Sequence, residues 1–519
     1  MGCGVATAGG ALVVYQWAVA RPLWLDEQMI AINVRDRGFV DLAGPLALAQ
    51  SAPYGWLALE RLAWLAFGSG ERALRLVPLL FGLATIGTAL WLGRRCLDAW
   101  STSILVLLCS TGQWISYSFV ELKHYSADAC FGLLLPALAA WSVETDRVAL
   151  WWIVAAVSQA FGNGGLFVTP FLACAIVALV FERRGAAAAL RAAAPGVVWA
   201  ALFVINYLLV LRPVQTSEFL QSYWQLRFPP TANGVVATAM WIAGRLVPFA
   251  VKPGGTRVGW LLWVAAAAGF ALARERARLL ALMFVTVPLS GFLLTTLHFV
   301  PFFERLVLWI VPAMYVGVAM LADLPVVQAF RPAGHARAAL KGCATAVAVA
   351  VALVVTGDIT YVGLDDLRAR PAATNHRLDD RSAVRWLAAR EQPGDVWVTT
   401  HLALPAIWWY APKTSAGIVE VAYVEPGPDC QPDALAIALA NALGRATRVL
   451  VFTGFHFDDA PTTFDDLLIE QLTATGQLTA YRGFGEVSRA AIVDRRLASR
   501  RNRGPQMPGC VAARLARRW

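Results

Sequence analysis

Residues 4–27 read GVATAGGALVVYQWAVARPLWLDE, an apolar run of helical length followed by Arg21, Pro22 and, shortly after, two adjacent carboxylates, Asp26 and Glu27. A helix rises about 1.5 Å per residue, so a run of roughly this length approaches what a hydrocarbon layer of about 30 Å demands. Carboxylates at the mouth of such a helix, beside Trp24, lie where desolvation raises an acid toward neutral pKa, which suits a general base. A solvated loop acid or an interfacial anchor is the competing reading.

The pattern recurs along the chain. Of 519 residues, 58% are hydrophobic and 15% charged, against about 45–50% and about 25% in soluble domains, so a water-soluble globule is excluded. Apolar blocks at 4–20, 73–93, 100–118, 126–143, 148–162, 164–181, 196–211, 257–273, 278–297, 305–322 and 342–358 predict about eleven crossings. Pro78, Pro136, Pro170, Pro288 and Pro312 fall inside them, where neighbouring helices satisfy the freed carbonyls. Short-loop basic residues, from Arg94 and Arg95 through Arg147, Arg183 and Arg274 to Lys341, all fall on one side, which the positive-inside bias makes cytoplasmic. Everything after about residue 360 then lies outside. Ala18-Val19-Ala20 has the form of a signal-peptide cleavage site, but no Lys or Arg precedes the apolar core. Cleavage there would leave the same outer C-terminus.

The sequence thus divides into a membrane domain, 1–360, with polar outer loops at 21–72 and 212–256, an outer domain at 361–494 and a basic tail at 495–519. In the outer domain short β-branched runs at 395–400, 417–423 and 448–453 alternate with helical stretches at 432–443 and 463–475, which predicts a small, mostly parallel sheet covered by helices. No Gly-x-Gly-x-x-Gly follows a strand, so no dinucleotide site is expected. The charge of +10 comes largely from eight arginines between Arg495 and Arg518, a stretch without acids or interleaved aromatics; membrane lipid headgroups, not nucleic acid, are its expected partner. Cys430 and Cys510 are the two cysteines of the outer domain and tail, and an oxidising compartment would allow them to pair.

Two further polar clusters stand beside apolar runs. Glu121-Leu-Lys-His-Tyr-Ser-Ala-Asp128 puts five ionisable or phenolic groups where a hydrophobic hairpin should turn, and ionisable groups at membrane depth mark function by default. In helical spacing Glu121, His124, Tyr125 and Asp128 share a face, with Lys123 off it. Phe299-Val-Pro-Phe-Phe-Glu-Arg305 ends on an arginine whose planar fork suits a phosphate, although snorkelling or pairing with Glu304 are equal readings. The segment 53–67, PYGWLALERLAWLAF, reads as an interfacial helix carrying Glu60 and Arg61 as its charges. The loop from Gln215 to Pro230, with Tyr223, Trp224 and Phe228, is read as a groove wall or an aromatic belt.

Together, Asp26-Glu27 after the first span, the interfacial helix after Pro53, the stretch 68–95 (GSGERALRLVPLLFGLATIGTALWLGRR), Glu121-x-Lys-x-Tyr and Pro301–Arg305 resemble the GT-C superfamily of membrane glycosyltransferases. The branch resembled is that of the dolichyl-phosphate-mannose protein mannosyltransferases and the bacterial aminoarabinose transferase of lipid A. The resemblance covers roughly the first 320 residues. It implies a polytopic α-helical enzyme with about eleven crossings and an extracytoplasmic α/β domain, in a bacterial-type inner membrane. Its donor would be a polyprenyl-phosphate-linked sugar and its acceptor a lipid, glycan or protein hydroxyl. Asp26 would be the general base and Glu27 its support; Lys123 and Arg305 would bind the donor phosphate, while Glu121, His124, Tyr125 and Asp128 would shape the pocket. Lys123 stands where many relatives have Arg, and Leu306 where they often have Tyr. A divalent cation, Mg or Mn, would fall between Asp26, Glu27 and the phosphate, but no His- or Cys-rich set marks a tight site and the metal is unassigned. A transporter or flippase would show inverted repeats and helices broken at the midplane; neither is read here. A catalytically inactive relative acting through its outer domain is the other alternative.

Overall fold

The computed structural model describes residues 1–324, 336–424, 434–455, 464–474, 476–497 and 510–515. The chain divides into two compact units, Met1–Val19 with Arg37–Ala369, and Ala20–Asp36 with Arg370–Trp519. Cys430, and with it the pairing to Cys510, lies outside the described residues, as does most of the basic tail.

In the first unit every apolar block of the sequence is helical. Among the described residues, seven helices are long and apolar enough to cross a membrane: Leu76–Cys96, Tyr125–Thr145, Asn163–Arg184, Ala186–Leu211, Glu275–Thr296, Glu304–Ala322 and Cys343–Ala369. The other four blocks are carried by Gly2–Ala18, Ala99–Thr111, Val148–Ser158 and Trp260–Ala271. One difference from the sequence expectation is Val235–Val251, an apolar helix of 17 residues inside the region read as an outer loop. Arg245 and Pro248 interrupt its apolar run, which hides it from a search for uninterrupted spans.

Burial separates the spans. The most apolar windows of Tyr125–Thr145 and Glu304–Ala322 are 83% and 89% buried, whereas that of Ala186–Leu211 has no buried residue. That span meets its unit along one side, where Trp152 donates to the Ala192 carbonyl and Gln159 to the Trp199 carbonyl, and leaves the rest to lipid; the first two form the interior of their unit. Glycine lets their backbones meet. A Cβ on Gly132 would stand 2.2 Å from the Trp309 carbonyl oxygen, and one on Gly164 2.7 Å from the Asp128 carbonyl oxygen. The N-terminal part of Tyr125–Thr145 therefore lies against both the start of Asn163–Arg184 and the 3-10 segment Glu304–Ile310. The clusters Glu121–Asp128 and Phe299–Arg305 sit at these ends.

Among its described residues the second unit has six strands: β1 (Val396–Thr400), β2 (Gly417–Val424), β3 (Arg448–Thr453), β4 (Gln477–Phe484), β5 (Ser488–Asp494) and β6 (Cys510–Leu515), in the order β4-β5-β3-β1-β2-β6. β1 pairs in parallel with β2 and β3, and the outer three strands pair antiparallel. The expectation of a mostly parallel sheet holds for the three central strands. Alternate residues Val398, Val419, Val421, Val449, Val451 and Val493 form a buried core with Leu439, Leu443, Leu468 and Leu472 of two covering helices. Helix Asp380–Ala388 lies against β3 and β5, helix Leu404–Tyr410 lies against it, and helix Leu25–Asp36 packs on the latter. The acid-bearing helix is thus a structural element of the α/β unit.

Candidate active site

The first helical residue after Trp24 is Leu25, so Asp26 and Glu27 occupy the first turn of helix Leu25–Asp36, where the dipole favours acids. Glu27 Oε2 accepts from the Trp24 backbone N–H at 3.1 Å, reaching back over the helix start as a capping box does. The same oxygen accepts from Asn375 Nδ2 at 3.0 Å. Gln28 Nε2 donates to the Leu23 carbonyl at 2.8 Å and to Asp380 Oδ2 at 3.0 Å. The Trp24 ring lies 4.6 Å from that of His376 and 6.2 Å from that of Phe455. Leu25, Glu27 and Gln28 are buried while Asp26 is only part-buried. Glu27 holds the turn, and the side chain of Asp26 is the more exposed of the two acids. Among the described residues no group of three or more His, Cys, Asp or Glu side chains has metal-holding geometry.

Asp380 accepts from Gln28 and, at 2.7 Å, from Ser488 Oγ. Burial, helped by the neighbouring Asp379, pushes its carboxyl up to about 6 in spite of these two bonds. Its folded value exceeds its unfolded one, so the folded state binds the extra proton. The associated stability is complete below about pH 4 and is lost as pH rises through about 6. Asp380→Asn keeps an acceptor for Gln28 and removes the titration. Its unfolding free energy should exceed that of the wild type at pH 8 and converge on it toward pH 4, with a gap on the order of 2–3 kcal/mol at the alkaline end; a scanning calorimetry series across this range checks it.

In the first unit, Lys123 is buried and its Nζ donates to Gln50 Oε1 at 2.6 Å. Gln50 lines a cavity of about 150 Å³ whose other walls include Leu42, Pro45, Val210, Pro213 and Leu220. An ammonium thus approaches a mainly apolar cavity through one amide. The helix begins at Tyr125, with His124 at its N-cap and Glu121 in the turn before it, so the expected shared face does not extend back to Glu121. The turn arises because Lys123 N–H bonds to the Glu121 carbonyl at 2.7 Å, closing the chain too tightly for a helix. Asp128 Oδ1 accepts the Gly164 N–H at 2.9 Å, its other oxygen stands 3.6 Å from His124 Nε2, and Asn163 Nδ2 is 3.0 Å from that same ring nitrogen. Asp128 therefore caps the start of helix Asn163–Arg184 through the Gly164 N–H, while Asn163 holds His124.

Arg305 follows Glu304, whose φ of +36° is unusual for a residue with a side chain and turns the chain into the 3-10 segment. The guanidinium lies over the Tyr125 ring, 5.9 Å from its centroid. The loop before it is braced by the aromatic segment of 215–230. Phe302 N–H bonds to the Arg227 carbonyl at 3.1 Å, Arg227 lies over Phe303 at 4.3 Å, and Phe228 stacks on His298 at 5.0 Å. That segment supports the arginine.

Lys123, His124, Tyr125, Asp128 and Arg305 are thereby brought together at the N-terminal ends of buried helices in one unit, while Asp26 and Glu27 are fixed in the other. Four residues escaped the sequence reading: Gln50, Asn163, Asn375 and Asp380, polar side chains with no local pattern to mark them. Glu60 was read as a charged residue of an interfacial helix. It is wholly buried, neither carboxyl oxygen has a hydrogen-bond partner among the described residues, and burial holds its pKa well above the usual range.

No family model matches the sequence, and no curated protein matches it. Among solved structures, ArnT from Cupriavidus metallidurans bound to undecaprenyl phosphate aligns with a TM-score of 0.50 and 16% identity over 97% of this chain and 98% of that one. The apo state of the same protein gives 0.49 at 17% identity over 97% and 99%, and the Archaeoglobus fulgidus oligosaccharyltransferase gives 0.42 at 12% over 86% and 67%. The likeness is one of fold. With its buried apolar spans and C-terminal sheet, the chain is a polytopic α-helical membrane protein of the GT-C fold, similar in architecture to ArnT.

Proposed function

We propose that this protein is a membrane glycosyltransferase that moves a single sugar from a polyprenyl-phosphate donor to an acceptor hydroxyl on the extracytoplasmic face. The observation that carries the reading is the buried Lys123 ammonium, bonded to Gln50 on the wall of a cavity of mixed, mainly apolar lining. That combination suits a phosphate attached to a greasy chain. The N-termini of helices Tyr125–Thr145 and Asn163–Arg184, at the same end, add the positive ends of their dipoles. The likeness in fold to a protein solved with undecaprenyl phosphate supports the same donor class.

The acceptor is a lipid, glycan or protein hydroxyl. Its oxygen attacks the anomeric carbon as its proton passes to Asp26. The bond from that carbon to the phosphate oxygen breaks, and the electron pair departs with polyprenyl phosphate. Lys123 and Arg305 neutralise the charge that gathers there, in a site poor in water. A single displacement inverts the anomeric configuration; retention would require a carboxylate nucleophile at the anomeric carbon. Glu27 fixes the turn that presents Asp26. Glu121, His124, Tyr125 and Asp128 shape the pocket, the last through its hold on helix Asn163–Arg184. A bacterial-type inner membrane, with the C-terminal domain outside, is the setting in which a lipid-linked donor replaces nucleotide sugars.

The test is incubation of the purified protein in lipid nanodiscs with a panel of radiolabelled polyprenyl-phosphate sugars, with water as the default acceptor. Release of polyprenyl phosphate from one member of the panel is expected. Equal inertness toward every member, with acceptor lipids and glycans supplied, would remove the reading.

A further inference from the structure

We propose that the C-terminal α/β domain is the positioning device for the catalytic acid, with Asn375 and Asp380 as positioning residues that set where Asp26 stands. The inference rests on the reading of Asp26 as the base and adds a role for the domain and for two residues in it.

In sheets with parallel strands, the crevice beyond the carboxyl ends at the point where strand order reverses is the usual place for a ligand. Here β1 leads to its neighbour β2, and β2 leads back across to β3 on the other flank of β1, so the reversal lies between β1 and β3. The crevice there is taken by the chain itself. Gly454, just past β3, lies so near Asp380 that an added Cβ would come within 3.0 Å of its Oδ1, and the next residue, Phe455, packs on Trp24. Where another α/β domain would seat a ligand, this one seats the start of helix Leu25–Asp36.

The seating is made at successive points. Arg381 Nη1 donates to the Ala20 carbonyl at 2.9 Å. Asn375 Nδ2 donates to the Pro22 carbonyl at 3.1 Å and to Glu27 at 3.0 Å. Leu23 N–H donates to Tyr410 Oη at 2.8 Å, and Asp380 receives Gln28. Farther along, Arg35 donates to the Trp408 carbonyl at 2.8 Å. Asp26 itself is left part-buried between residues so held. Burying Asp380 costs stability, since desolvation disfavours its charge, which fits a group retained for geometry. A catalytic group displaced by about 1 Å can lose on the order of 100-fold in rate while substrate binding persists.

The experiment compares full-length Asn375→Asp, Asp380→Ala and Asp380→Asn with the wild type in nanodiscs. Asn375→Asp preserves shape, removes the donor and sets a carboxylate against Glu27. It should lower kcat by about 10- to 100-fold with the Kd for a polyprenyl-phosphate sugar within about 2-fold, and should raise amide hydrogen exchange over residues 20–28 but not in β1, β2 or β3. Asp380→Ala should do the same, and Asp380→Asn, which still accepts from Gln28, should recover most of the lost rate. Wild-type kcat in both Asn375→Asp and Asp380→Ala would overturn the proposal, as would loss of donor affinity in step with kcat or exchange rising across the whole sheet. Asp26→Asn run alongside separates the two readings: if it too keeps full activity, the base assignment has failed; if it alone is inactive, only the positioning role falls.

Discussion

Asp26→Asn should lower kcat for sugar transfer by about 100- to 10,000-fold, the range a positioned general base contributes, while leaving the Kd for donor unchanged. The amide keeps the shape of the carboxyl and can still accept a hydrogen bond from the acceptor hydroxyl, but it cannot take the proton as the new bond forms. The fold should survive, because the residues that pin the helix are its neighbours: Glu27 to Trp24 and Asn375, and Gln28 to Leu23 and Asp380. Steady-state kinetics with isothermal donor titration separate the two quantities. Full turnover in the variant would remove the assignment of Asp26.

Arg305→Ala should act on the other half of the reaction. Removing one preorganised cation from a developing phosphate anion is expected to cost about 100- to 1,000-fold in kcat, with weaker donor binding in addition. Arg305→Lys should restore little, since an ammonium lacks the planar fork that lies over Tyr125 and could grip two phosphate oxygens. Donor affinity unchanged in Arg305→Ala would mean that the arginine only anchors its helix.

The features legible in the sequence were those written locally. Each apolar block is a helix because about twenty contiguous apolar residues leave no other way to satisfy the backbone in lipid. The strands at 396–400, 417–424 and 448–453 announced themselves by β-branched runs. β4 and β5 did not, since Arg482 and Arg489 interrupt them, and β6 falls within the arginine-rich tail. The carboxylate pair, the lysine and the arginine stood out because charge beside an apolar run is costly. What holds them was hidden. Asn375 and Asp380 are 348 and 352 residues from the side chains they bond, a distance over which spacing carries no signal. The face expected to join Glu121 to Asp128 breaks at Tyr125, because a tight turn at Glu121–Lys123 outweighs helical spacing. Glu60 reads as a charge of an interfacial helix, and only packing reveals that it is buried.

A single-turnover experiment brings the base and the phosphate cations into one measurement. Purified wild type, Asp26→Asn and Arg305→Ala are loaded with a radiolabelled polyprenyl-phosphate sugar in nanodiscs, washed, and given acceptor. The wild type should discharge its sugar, Asp26→Asn should keep the donor bound and intact, and Arg305→Ala should retain little donor through the wash. Discharge by Asp26→Asn at the wild-type rate, or full donor retention and discharge by Arg305→Ala, would contradict the mechanism.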